Sequence, residues 1–223
     1  MPTALITGAG GGIGSAIAAA LASTHTLLLA GRPSDRLNAV ADRLGATTLP
    51  LDLTDPDSIE SSRESLDELD VLIHNAGVSI PGHVADSAVE EWRATFEVNV
   101  FGAVALTLTV LPALRRARGQ VVFINSGAGK RVSPGMASYA ASKFALRAFA
   151  DSLREDEPDL RVTTIFPGRT DTEMQREIVA FERGEYDTAN LLRPETVAAA
   201  VAEAVATAPD GHLHEVVLRP ARH

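Results

Sequence analysis

The stretch "TALITGAGGGIG", residues 3–14, carries the change of pattern that decides the fold. "TALIT" at 3–7 reads as a short apolar strand, and apolar residues at helical spacing follow over 13–23. Between them lies a glycine-rich turn. A strand that feeds a helix through glycines can turn tightly and let its backbone approach another group closely. The unpaired N–H groups and positive dipole end at such a helix start also suit a pyrophosphate. Gly8, Gly12 and Gly14 give G-x-x-x-G-x-G, with Gly10 between them; the spacing G-x-G-x-x-G fails because position 13 is Ile13. Taken alone, a turn of this kind could be only a tight connection.

The same alternation continues outward. Strand-like runs fall at 26–30, 46–50, 70–74, 120–125, 161–166 and 215–219, and helix-like segments near 35–44, 55–67, 87–115, 138–155 and 194–207. Strands that are apolar throughout, alternating with helices, predict a mostly parallel sheet covered on both faces, a doubly wound α/β fold in one domain over 1–223. The long segment at 168–194 mixes polar residues with Met174, Ile178, Phe181 and Tyr186, and is expected to be a substrate lid rather than a plain surface helix.

Composition narrows the function. A net charge of −9 argues against a nucleic-acid partner, whose phosphates demand clustered cations. The absence of cysteine excludes disulfides, thiolate metal sites and a cysteine nucleophile. No metal is expected either, since "HLH" at 212–214 lacks carboxylate or cysteine partners at suitable spacing. The N-terminus enters an apolar run at once and has no secretory features, so a cytoplasmic enzyme is expected. The one membrane-like passage, 98–114, is interrupted by Asn99, Thr107, Thr109 and Pro112 and falls short of the ~20 apolar residues of a spanning helix. A helix buried on nearly all sides is expected there, with no membrane partner.

The end of the second strand bears on the choice of cofactor. An NAD(H) site wants an acid there to accept from the ribose hydroxyls, whereas a 2′-phosphate wants a cation. The sequence places Gly31 and then Arg32, with Asp35 later, where it suits a helix start. NADP(H) is therefore expected over NAD(H), with Arg32 on the 2′-phosphate. A solvated strand-end arginine is the alternative.

One further pair stands out. The chain has two tyrosines and two lysines, and Tyr139 and Lys143 lie one helical turn apart in "YAASK". A tyrosine near pKa ~10 is a poor base at neutral pH, and a cation on the same helix face would favour its phenolate.

Together, "TGAGGGIG", "NAG" (75–77), Asn99, Ser126, "YAASK" (139–143) and "PGRTDT" (167–172) resemble the short-chain dehydrogenase/reductase family, in its compact single-domain branch. The resemblance spans residues 3–219. It implies a Rossmann-type sheet of seven strands and hydride transfer between a nicotinamide and a small carbonyl or alcohol substrate. Tyr139 matches the family's general acid and base, Lys143 the residue that charges it and holds the nicotinamide ribose, and Ser126 the hydroxyl that orients the substrate oxygen. Asn99 matches the asparagine that holds a proton-relaying water in a locally distorted helix. Ser126 stands thirteen residues before Tyr139, as in the family; Ser133 and Ser138 are its rivals.

For the cofactor, the resemblance implies contacts from Gly8, Gly10, Gly12, Ile13 and Gly14, from Asp52 and Leu53 after the third strand, and from Asn75, Ala76 and Gly77 after the fourth. Pro167 and Gly168 would line the nicotinamide, and Thr170 and Thr172 would contact the cofactor. Asp52 could instead cap the next helix, unless Thr54 or Asp55 does. Two departures stand out: His74 replaces the family's common first asparagine, and Gly12 occupies a position where many NADP-preferring members carry a basic residue. Val78, Ser79, His83, Ala128 and Met136 are expected around the substrate. The apolar helix at 100–111 and the face formed by Ala140, Ala141, Ala145 and Ala148 suit a symmetric interface, so a homodimer or homotetramer is expected. A catalytically silent cofactor sensor is an alternative that the complete Asn-Ser-Tyr-Lys set disfavours. The longer sugar-nucleotide epimerase branch shares Y-x-x-x-K, but chain length and glycine spacing disfavour it.

Overall fold

A computed structural model gives the structure of residues 1–221. Seven strands, β1 (Thr3–Thr7), β2 (Thr26–Gly31), β3 (Thr47–Pro50), β4 (Val71–His74), β5 (Gln120–Ile124), β6 (Arg161–Phe166) and β7 (Glu215–Val217), form one sheet in the order β3-β2-β1-β4-β5-β6-β7. Every pairing is parallel, so the expected "mostly parallel" sheet is parallel throughout.

The strands are apolar throughout because both sheet faces are covered, and alternate residues serve opposite cores. Ala4, Ile6, Leu29, Ile73 and Val122 face a core shared with α1 (Gly12–Leu21), α2 (Asp35–Leu44) and α8 (Pro194–Ala206). Leu5, Leu72, Val121, Phe123 and Val162 face a second core, built with α3 (Pro56–Ser61), α5 (Gly102–Ala117) and α6 (Ala137–Asp156).

The segment at 87–115 is not one regular helix. It runs as α4 (Val89–Phe96), a π-turn at Glu97–Phe101, and α5. Together these make a continuous 29-residue helix, Val89–Ala117, that is long and apolar enough to cross a membrane by length and composition. Leu106 and Leu114 are fully buried in the second core, yet Phe101 is 56 % and Leu108 59 % exposed, so the helix is not covered on nearly all sides as expected. On α6, Phe144 and Ala148 are exposed and Ala141 and Ala145 half-buried, whereas Ala140 points into the protein and cannot belong to an outer face. The segment at 168–194 contains α7 (Glu173–Phe181), and its ends are pinned to each other by Leu192 N–H to Arg169 O (2.8 Å) and Asp171 N–H to Leu192 O (2.8 Å).

The strand order reverses at β1, whose neighbours are β2 and β4, and a crevice opens at the carboxyl ends of these strands. The turn after β1 is drawn tight there. Gly8 adopts φ +66°, and a Cβ on it would lie 2.9 Å from the Ala76 Cα. A Cβ on Gly14 would lie 2.3 Å from the Gly8 carbonyl oxygen. Backbone is met in both cases, so neither position has room to relax. Gly14→Ala is expected to destabilise the fold by about 2 kcal/mol or more, despite alanine's better helix propensity, as a lowered urea midpoint would report.

Candidate active site

Tyr139 and Lys143 sit one turn apart on the inner face of α6, with 8 % and 3 % exposure. Lys143 Nζ donates to the Ile124 carbonyl at the end of β5 (3.1 Å) and lies 5.7 Å from the centre of the Tyr139 ring. Burial lowers the Lys143 pKa to about 8. Burial raises that of Tyr139, and the nearby Ser126 hydroxyl acts the other way.

Ser126 follows β5. Its hydroxyl accepts from Ala128 N–H (3.1 Å), so it also holds its own turn. Of its two rivals, Ser133 lines the same cleft, whereas Ser138 is buried and does not. Asn125, which sequence reasoning missed, holds the two halves together. Its Nδ2 donates to the Lys143 carbonyl (3.0 Å), and its Oδ1 accepts from Ser126 N–H (2.8 Å). The available signal was a polar residue ending an otherwise apolar strand, directly before the serine.

Asn99 lies in the π-turn and is 1 % exposed. Its Oδ1 accepts from Val78 N–H (2.8 Å), and its Nδ2 donates to the Val78 carbonyl (2.9 Å) and to Ser142 Oγ (3.0 Å). Ser142 in turn donates to the Tyr139 carbonyl (2.7 Å), which ties the π-turn to the Tyr139 turn of α6. The fully engaged Asn99 side chain leaves only its backbone for a water.

At the glycine turn, Asn75 acts as a strut. Its Nδ2 donates to the carbonyls of Thr7 (3.0 Å) and Gly8 (3.1 Å), so its side chain supports the loop instead of facing a ribose. Thr7 Oγ1 accepts from the N–H groups of Asn75 and Ala76 (3.0 Å each). Gly77 lies against Asn99 and Lys143: a Cβ there would be 3.2 Å from Asn99 Oδ1 and 3.6 Å from Lys143 Nζ. The Leu53 side chain belongs to the second core, and its carbonyl lies against Gly102 at the start of α5.

Arg32 is exposed directly after β2, and Asp52 lies just beyond β3, the neighbouring strand. Asp55 caps α3, as its side chain accepts from Asp57 N–H, which leaves Asp52 free of that duty. Hydrogen bonds from Thr54 N–H and Oγ1 lower the Asp52 pKa, with a smaller contribution from Arg32. Arg36 pairs with Glu173 at 2.6 Å, linking α2 to α7 across the mouth of the crevice. Thr172 caps α7 by accepting from Gln175 N–H (3.2 Å), and its methyl lies over Gly12, 3.2 Å from where a Cβ would stand. Thr170 turns its hydroxyl to the Gly168 carbonyl (3.1 Å).

A cleft of about 590 Å³ joins these parts. Ile13, Ser126, Tyr139, Pro167, Gly168, Thr170 and Thr172 line it, with Met174, Gln175 and Ile178 of α7 forming a wall. Ala128 and Met136 line it as expected, whereas His83 packs on Phe181 (5.4 Å between ring centres) and Val78 and Ser79 lie outside its lining. The residues fit a dinucleotide: the glycine turn leaves a cradle without Cβ atoms, and the buried Gln175 Nε2 on the cleft wall has no partner in the described residues.

His74 is buried beneath Lys143. It stacks on Phe123 (4.9 Å), pairs through Nε2 with Thr107 Oγ1 (2.8 Å) and leaves Nδ1 unpartnered. The histidines at 212 and 214 form no metal cluster in the described residues; His212 contacts the Val162 carbonyl through Nε2 (2.9 Å).

The model of the short chain dehydrogenase family matches residues 2–183. The chain is 35% identical to a glycine betaine reductase of Emericella nidulans over 97% of its own length but 18% of that protein's. It is 36% identical to the dehydrogenase/reductase SDR family member 7B of Bos taurus, over 82% of its own length and 62% of the relative's. The chain therefore spans less than two thirds of either relative. Among solved structures, the alcohol dehydrogenase of the archaeon Thermococcus sibiricus, complexed with 5-hydroxy-NADP, superposes with a TM-score of 0.90 at 29% identity, covering 100% of this chain and 98% of that one. The chain belongs to the short-chain dehydrogenase/reductase family.

Burial and the Lys143 charge lower the His74 pKa to about 3, against 6.5 in an unfolded chain. Between these values the unfolded chain binds the extra proton, so His74 contributes stability that is complete above pH 6.5 and lost as pH falls toward 3. His74→Asn is expected to flatten this slope by about 1.4 kcal/mol per pH unit, seen in urea unfolding at pH 6 and pH 5.

Proposed function

We propose that the protein is an NADP(H)-dependent carbonyl reductase or alcohol dehydrogenase with Tyr139 as general acid and base. The observation that carries this is the buried Lys143 ammonium beside Tyr139, with Ser126 at the same cleft wall. When bound, the nicotinamide supplies or accepts the hydride. Ser126 holds the substrate oxygen, and Tyr139 donates its phenolic proton to that oxygen during reduction. A tyrosine whose pKa is raised by burial keeps that proton at neutral pH, so it is ready as an acid. Lys143, with a pKa of about 8, keeps most of its charge at pH 7 and stabilises the phenolate that results. The proton is replaced through water held by the backbone at Asn99, where the π-turn shifts the hydrogen-bond register.

Arg32 carries the preference for the 2′-phosphate, and Asp52 receives the adenine side. The NADP analogue in the Thermococcus structure is consistent with this choice. The segment at 168–194 acts as a lid through α7, and the exposed Phe101, Leu108 and Phe144 pack in a homodimer or homotetramer. An NAD(H)-dependent enzyme of the same family is the second reading, favoured by Gly12 where a basic residue would strengthen NADP binding.

Two outcomes test this. Tyr139→Phe should lower NADPH-dependent turnover by about 10²-fold or more while NADPH still quenches or enhances fluorescence on binding. Full turnover in that variant would remove Tyr139 from the chemistry. Arg32→Asp should shift the NADPH-to-NADH ratio of kcat/KM by roughly tenfold or more toward NADH; an unchanged ratio would leave Arg32 a solvated strand-end residue.

A further inference from the structure

The cleft is cationic although the chain is acidic. Its charged lining comprises Arg131, Arg169, Glu182 and Arg219 in a protein of net charge −9. Arg169 is already neutralised by its ion pair with Glu182. Arg131 and Arg219 form no ion pair with the described residues.

Both are exposed residues that line the cleft beside the turn at Gly127. Arg219 follows β7, and its Nη1 donates to the carbonyls of Phe166 (2.9 Å) and Leu218 (2.7 Å), which fixes the guanidinium at the ends of β6 and β7. Its Nη2 lies 3.3 Å from where a Cβ on Gly127 would stand, so a glycine directly after Ser126 is what lets the guanidinium reach the cleft wall. Arg131 is held at the same turn through its N–H to the Gly127 carbonyl (3.1 Å). Nη2 and Nε of Arg219 have no acceptor among the described residues, and a fixed guanidinium with free N–H groups matches a carboxylate.

We propose that Arg219, assisted by Arg131, anchors a carboxylate on the substrate, so that the cleft takes short oxo acids and their hydroxy-acid counterparts. This rests on the oxidoreductase reading above. The anchor's Nη2 lies against Gly127, the residue after Ser126, so the acid group would sit on the Ser126 side of the cleft. Reduction then adds a hydride from the dinucleotide to the carbonyl carbon and the Tyr139 proton to its oxygen, and the carboxylate is unchanged.

The test compares acetoacetate and levulinate with their methyl esters, using NADPH and following its absorbance. The wild type should favour each acid over its ester in kcat/KM by about tenfold or more, chiefly through KM. Arg219→Gln should collapse that ratio to within about twofold, and Arg219→Lys should restore part of it. No acid preference in the wild type, or the same preference in Arg219→Gln, would overturn the proposal. So would a loss of NADPH affinity in that variant with the acid preference intact. If the wild type reduces none of the four compounds, the oxidoreductase reading fails for this substrate range, and ligand-observed NMR with levulinate and its ester judges the anchor alone. Binding of the acid that disappears in Arg219→Gln supports it, while equal signals from acid and ester overturn it.

Discussion

The site is organised around the buried ammonium group of Lys143, which is 3 % exposed. Lys143 Nζ has one protein acceptor, the Ile124 carbonyl, and a charge so placed is costly unless the surroundings are fixed to receive it. Nearly every irregular feature nearby follows from that placement. A Cβ on Gly77 would press on Asn99 Oδ1 and touch Lys143 Nζ, and His74 beneath is kept neutral. Asn125 grips the Lys143 carbonyl, so that the helix carrying the ammonium and the turn carrying Ser126 cannot move independently. The depressed pKa reflects the desolvation of the ammonium, and the proposed chemistry uses that placement by setting a cation beside a phenol.

A second constraint sits at the sheet's reversal point. Asn75 closes the end of β4 onto the glycine turn after β1, and Thr7 returns the contact through its hydroxyl. The turn and the Lys143 region therefore share one short segment, 75–77, between them. Dinucleotide and substrate would meet on a single rigid support rather than on two loops that must find each other.

Much of this was legible in the sequence because it depends on local pattern. Strand and helix positions followed from apolar runs and turn residues, and Tyr139 and Lys143 were marked by rarity and spacing. The distortion at Asn99 was expected from the family resemblance and not from local pattern, since "EVNVF" contains no proline or glycine and Asn99 bonds to Val78, 21 residues before it. The helix inside 168–194 had a visible signal, Thr172 followed by Gln175 in the capping-box pattern, but the "PGRTDT" motif drew attention to a cofactor contact instead. The burial of Ala140 and the exposure of Phe101 and Leu108 depend on how α5 and α6 rotate against the second core, which periodicity alone leaves open. The cationic cleft was illegible because Arg131 and Arg219 are 88 residues apart and meet only through the turn at Gly127.

The Arg36–Glu173 pair joins α2 to α7, the helix that walls the cleft, through residues 137 positions apart. Both side chains are about 70 % exposed, so the contact is shallow and screened by salt within about 10 Å. A clasp of this strength adds little to holding the protein folded. It ties the start of α2 to the start of α7, and the ionic strength of the medium sets how firmly.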